Sequence, residues 1–316
     1  MKKILFYTII IVLLSTTLQA AKFITIGTGS INGLYYPTGG AICKLINMEK
    51  KKNNLRCAIE PTGGSINNIL SIKDNSIELA IAQSDIIYQA YEGKGKFKDK
   101  PIKKIRTIMA IYPELLTLIV RKDANIKKLL DIQDKNINIG ADSSGTQATV
   151  KILLENYEAL FEKNIRKSTF ETSECSSLIK ESKIDGYFYV VGHPTENIKN
   201  VANYTPIDII SIDLNKNKNF FKKYPYYARG IIPKNIYKGV NKNAKSFGVK
   251  ATLVSSSDMD DESVTSIIKA IVENFDRFKK LNPAFKSIKK KSLVKGIGAP
   301  LHKAAKKYYQ KIGIIK

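Results

Sequence analysis

Two patterns of apolar and polar positions alternate along the chain. Short apolar runs, such as residues 22–27 (KFITIG), 55–60 (LRCAIE) and 79–82 (LAIA), predict buried strands. Between them lie longer segments whose apolar residues return every three or four positions, the signature of a helix with one buried face. Residues 34–51 show it with Ala41, Ile42, Leu45 and Met48. Residues 260–281 show it with Val264, Ile267, Ile268, Ile271, Phe275 and Phe278 on one stripe. Further helices are predicted at 66–74, 86–91, 125–131, 147–157, 174–181 and 300–312. Further strands are predicted at 105–111, 115–121, 136–140, 168–170, 186–191, 207–212, 229–232 and 249–255. The repeating strand–turn–helix order predicts an α/β fold with a largely parallel sheet covered by helices.

The chain has 316 residues, enough for two domains at ~100–200 residues each. The strand crossings suggest two lobes, one of residues 22–117 with 251–316 and the other of residues 118–250. The first twenty residues stand apart. A basic start with Lys2 and Lys3, an apolar run over 4–14 and a small-residue end at Ala20 follow the order of a secretory signal peptide. The run is shorter than the ~20 apolar residues of a membrane span, and an uncleaved N-terminal anchor is the alternative. Export would place the mature chain in the periplasm.

The formal charge is +24, carried by 52 Lys and Arg against 28 Asp and Glu. It raises nucleic acid as a partner. Only Arg56, Arg106, Arg121, Arg166, Arg229 and Arg277 are arginines, however, whereas base readers lean on arginine for bidentate contacts. The lysines are spread along the whole chain, so the charge reads as a solvated surface and no nucleic acid is expected. Two His and three scattered Cys give no zinc spacing, and no metal or other cofactor is expected. Outside the cytosol disulfides persist. Cys43, on a predicted helix, and Cys57, on the next strand, either bridge or sit as small buried apolar residues.

The informative feature is a recurrence of four loops. Residues 27–33, 61–65, 83–85 and 142–146 each follow a predicted strand, open a helix and are rich in Gly or hydroxyl side chains. Ser65 reads as an N-cap of the helix that follows it. Helix N-termini carry free N–H groups and partial positive charge, and open α/β sheets bind ligands beyond the carboxyl ends of their strands. Four such loops converging would make a cleft for a small anion, above all a carboxylate. No arginine lies in any of them. Rival motifs fail on spacing: Gly27-x-Gly29-x-x-x-Gly33 is one residue too long for a dinucleotide fingerprint. The Ser of 142–146 lacks the spacing of a nucleophile elbow, so no catalytic residues are expected.

With these residues in view, the chain resembles a known family. GTGSINGLYYPTGGAIC (27–43), EPTGGSINNI (60–69), AQSD (82–85), DSSGT (142–146), VGHP (191–194), ENFDRFKKLNPAF (273–285) and APLH (299–302) are similar to the TAXI-type solute receptors of tripartite ATP-independent periplasmic (TRAP) transporters. The departures are Val190, where the family often has Thr, and a more lysine-rich surface. The resemblance implies a two-lobed type II periplasmic binding protein fold with a hinge between the lobes. It also implies capture of a glutamate-, glutamine- or 2-oxoglutarate-like solute and its delivery to a TRAP permease. Donor loops without a catalytic constellation read as a receptor, expected to be a monomer, and not as an enzyme. Carried onto this chain, it assigns Thr28, Gly29, Ser30, Tyr35, Tyr36, Thr62, Gly63, Gly64, Ser65, Gln83, Ser84 and Asp85 to one wall of the site. Ser143, Ser144, Gly145, Thr146, Tyr189 and His193 form the other. Glu114, after Pro113 at the expected crossing, either pairs with a ligand ammonium or solvates the hinge. Two rival readings stay open: a sensory receptor with a signalling partner, and a secreted α/β enzyme.

Overall fold

Strand β1 (Lys22–Gly27) pairs in parallel with β2 (Leu55–Glu60) on one side and β3 (Leu79–Gln83) on the other. Helices α1 (Tyr35–Met48), the short α2 (Lys50–Asn53), α3 (Ser65–Lys73) and α4 (Ser84–Glu92) connect and follow them. This computed structural model describes residues 21–157, 165–214 and 219–316; the expected signal peptide lies outside them. Among the described residues no helix is long and apolar enough to cross a membrane.

The expected strands at 105–111 and 115–121 are one strand, β4 (Ile105–Arg121), which runs straight through Pro113. Proline removes a ladder donor, which is why the sequence suggests a break there. The ladder absorbs the defect with an extra residue in β4 itself, where Ile111 and Tyr112 stand against Ala251 alone. β10 (Ala244–Ser256) pairs Lys250 with Pro113, and its register shifts between Lys250 and Thr252. Beyond β4 come β5 (Asn136–Asn138), α5 (Gly145–Asn156), β6 (Arg166–Ser168), α6 (Cys175–Lys180), β7 (Gly186–Val191), α7 (Glu196–Tyr204), β8 (Ile207–Ile210), α8 (Phe220–Lys223) and β9 (Ala228–Ile232). After β10 the chain returns through α9 (Asp261–Glu273), α10 (Phe275–Lys280) and α11 (Lys303–Lys311).

The sheet order is β2-β1-β3-β10-β4-β7-β5-β6, with β8 on β4 and β9 on β10. It is mixed, which corrects the expectation of a largely parallel sheet. β10 runs antiparallel to β3, β4 and β9, and β4 runs antiparallel to β7 and β8. The two long strands exchange partners along their length. β10 pairs with β9 over Ala244–Gly248 and with β3 over Ala251–Ser255. β4 takes up β7 from Leu115 onward. This crossing of two adjacent strands joins the two lobes of the α/β fold.

The expected helix 260–281 is broken at Asn274, whose side-chain amide bonds the Ala270 carbonyl. Such a local bond competes with helix continuation. Ser65 is the first residue inside α3 rather than its cap; Gly64 holds the cap position and the Ser65 hydroxyl accepts from the Gln83 N–H. Cys43 and Cys57 are joined by a disulfide that ties α1 to β2 across 14 positions, and Cys175 is free and buried. One apolar core lies under α1, α9 and α11 and continues through Tyr112, Tyr237 and Val191 toward α6 and α7. A second, around Leu116, Phe188, Phe220 and Phe247, belongs to the β5–β9 side.

Candidate functional site

A cavity of about 60 Å³ lies where the two lobes face each other. A water needs roughly 10–15 Å³ on this measure, so the cleft holds only a few waters or a small solute in this closed arrangement. Its first wall is built at the carboxyl ends of β1, β2 and β3: Gly29, Ser30, Gly33, Leu34 and Tyr35 at the start of α1, Gly63, Gly64 and Ser65 at the start of α3, and Gln83. Its second wall is Ser144, Gly145 and Thr146 at the start of α5, Tyr189, Val190 and Val191 at the end of β7, and Glu171 with Thr172 from the loop before α6. Glu114 reaches the cleft from β4, at the crossing itself.

Three helices therefore aim their N-terminal ends at one space. Neither α1 nor α3 has a side-chain cap, so their first N–H groups are left for whatever occupies the cleft. Gly64 sits at φ 100°, which only glycine adopts without strain, and that turn lets the backbone itself face the cleft. On α5 the Ser144 hydroxyl accepts from Gln147 N–H, one residue group further in. The Ser30 hydroxyl is buried and has no hydrogen-bond partner among the described residues. Burying a hydroxyl unpaired costs about 1–3 kcal/mol, which a ligand acceptor would recover.

The charges of the cleft are all carboxyl groups. Glu114 is buried and accepts a 2.8 Å hydrogen bond from the Tyr35 hydroxyl. Burial, reinforced by the charge of Asp85, holds its pKa well above the usual carboxylate range, with the Tyr35 bond opposing. Glu171 stands at the rim, its pKa raised by partial desolvation and by neighbouring Glu174. Among the described residues no Lys or Arg lines the cleft. Such a site can take an anion on its N–H and O–H donors and can offer a carboxyl group to a ligand's own donors.

Several residues expected at the site stand elsewhere. Thr28 is buried behind it and donates to the Glu60 carbonyl. The Thr62 hydroxyl lies within bonding distance of Asn68 and the Thr28 carbonyl. Tyr36 faces a separate groove with Pro37 and Pro194. Ser84 accepts from the Lys250 N–H, and Ser143 stands opposite Gly63 without lining the cavity. Asp85 is fully buried between the lobes. Nothing in the sequence singles out Glu171 or Thr172, whose loop before α6 lacks the glycines of the other cleft loops.

His193 lies on the loop after β7 and outside the cavity lining. Its Nδ1 stands 2.7 Å from the Tyr237 hydroxyl and its Nε2 3.0 Å from Thr117 Oγ1. Thr195 N–H donates to Tyr237, and Thr117 donates to the Leu115 carbonyl. The consistent assignment has Tyr237 donating to Nδ1 and Nε2–H donating to Thr117, a neutral ring. Burial lowers the His193 pKa to about 4, against 6.5 in an open chain. The folded state therefore resists protonation, and this stability is fully present above pH 6.5 and is lost as pH falls through about 4. We expect a loss of about 2–3 kcal/mol across that window, removed in His193→Gln. Melting curves from pH 7 to pH 4 check it; equal pH slopes for parent and variant would count against it.

A two-lobed sheet crossed by paired antiparallel strands, with a donor-lined cleft at the crossing, is a type II periplasmic-binding-protein-like fold. The chain belongs to the NMT1-like family, whose model matches residues 26–313. In fold it is similar to a protein from Bordetella bronchiseptica RB50, at 12% identity and a TM-score of 0.55, covering 92% of this chain and 98% of that one. It is likewise similar to ArtJ, the arginine-, lysine-, histidine-binding protein of Geobacillus stearothermophilus. Identity there is 12% and the TM-score 0.51, over 85% of this chain and 97% of that one.

Proposed function

We propose that this chain is a periplasmic receptor that captures a small organic anion or amino acid, of the glutamate, glutamine or 2-oxoglutarate kind, and delivers it to a TRAP permease. The observation that carries the reading is the convergence of α1, α3 and α5 on a cleft with hydroxyl donors and, among the described residues, no Lys or Arg. A carboxylate gains from the N–H groups and partial positive charge of those helix ends. Gly29, Ser30, Tyr35, Gly63, Gly64, Ser65, Gln83, Ser144, Gly145, Thr146 and Tyr189 are the proposed contacts, with Glu114 and Glu171 facing any ligand ammonium. The TAXI-type resemblance supports the permease partner and the exported location after removal of residues 1–20.

The hinge of this reading is the crossing, where Leu115 pairs with Gly248 and Pro113 with Lys250. That pairing supports lobes of 22–117 with 251–316 and of 118–250. Ligand contacts come from both lobes, so binding favours the closed form. The protein acts by binding alone, as a monomer, without a cofactor.

A thermal-shift screen of amino acids and dicarboxylates tests the reading. At least one solute is expected to raise the melting temperature, since a ligand at a hundred times its Kd adds about 2.7 kcal/mol. Native mass spectrometry of the purified chain identifies any solute retained from the cell. If no carboxylate or amino acid shifts the melt and none co-purifies, the reading falls.

A further inference from the structure

We infer that Asp85 and Tyr227 form a latch that holds the two lobes together before any solute arrives. The inference rests on the two-lobe receptor reading above and concerns a contact outside the solute cavity. Asp85 stands at the second position of α4, in the first lobe, and is fully buried. Its own lobe supplies the Ile86 N–H at 2.9 Å and Gln83 Nε2 at 3.1 Å, both to Oδ1. The opposite lobe supplies Oδ2 with the Tyr227 hydroxyl at 2.8 Å and the Thr149 hydroxyl at 3.2 Å. None of these three residues lines the cavity, and among the described residues no Lys or Arg pairs with Asp85.

The donors are held firmly. Tyr227 is buried, its ring stacked on Phe220 and set edge-on against Phe247 at 5.0 Å between centroids. Thr149 lies inside α5, whose first turn forms part of the cavity. Gln83 joins the two regions: its Nε2 faces Asp85, Thr149 and the Gly145 carbonyl, and the residue also lines the cavity. Hinge opening would strip both second-lobe hydroxyls from Asp85 and hand the carboxyl group to water. Hydrogen bonds to carboxylates are the strong kind in a dry interface. The latch therefore sets how much closed form exists for the solute to draw on, and apparent affinity scales with that fraction.

The test needs no solute. Spin labels go on exposed Lys96→Cys, in the loop after α4, and Lys222→Cys, on α8 of the other lobe. Cys43 and Cys57 are bonded to each other and Cys175 is buried, so the native cysteines stay unlabelled. Tyr227→Phe keeps the ring and removes the hydroxyl. Pulsed electron resonance on the ligand-free chain is expected to show the long-distance population rise about tenfold or more relative to the short one. Thr149→Val is expected to shift it in the same direction and carries the test should Tyr227→Phe lose its cooperative melt. Distance distributions that superpose on the parent in the folded variants would overturn the latch. A failed solute screen leaves this measurement standing, and an absent latch leaves the screen standing.

Discussion

Gly145→Val is expected to abolish solute capture while leaving both lobes folded. Gly145 opens α5 on the second lobe and lies against the side-chain amide of Gln83 on the first. A Cβ at this position would run into the Gln83 amide, which is already fixed by Asp85, Thr149 and the Gly145 carbonyl. Gln83 cannot simply swing away, because leaving costs those bonds in a buried place. The remaining relief is for the lobes to stay apart. Within its own lobe a valine at the first position of a helix costs only tenths of a kcal/mol. The expected result is a solute-dependent melting shift reduced to nothing, equivalent to affinity weakened a hundredfold or more, with the solute-free melt within a few degrees of the parent. Titration calorimetry with whichever solute the screen identifies checks it. Unchanged affinity would show that the lobes need not meet at Gln83.

Gly248→Ala is expected to strike the fold itself. Gly248 lies on β10 opposite Leu115, and a Cβ there would coincide with the backbone carbonyl of Glu114. The obstacle is main chain, so no rotamer change relieves it. β10 would have to leave β4 at the one place where both strands pass between lobes. We expect a loss on the order of 4 kcal/mol or more, at the upper end of what single substitutions cause. Urea titration of the purified chain measures it. A variant within about 1 kcal/mol of the parent would mean that the crossing is looser than its geometry implies.

Much of the cleft lining was legible in the sequence because helix N-termini are local objects. The glycine and hydroxyl loops at 27–33, 61–65 and 142–146 mark chain reversals that only such residues make, and each does open a helix on the cleft. The same local signal does not separate cleft from seam at Asp85 and Ser84, neither of which lines the cavity. A short polar loop before a helix looks alike whether it faces a ligand or is sealed between lobes, and only Tyr227 and Thr149, 142 and 64 residues away, separate the two cases for Asp85. Glu171 and Thr172 were missed for the converse reason, since they enter the cleft by docking rather than by their own pattern.

The chain's hydrophobic periods specify which segments are strands and which are helices, because burial of one face is a property of each segment alone. They do not specify direction between distant strands. β10 must travel from the far end of the sequence to lie antiparallel between β3 and β4, and its register comes from contacts that exist only once both lobes are assembled. Pro113 illustrates the division. Read locally it ends a strand, yet in the sheet it continues one, because an extra residue in β4 beside it shifts the ladder where proline can offer no hydrogen bond.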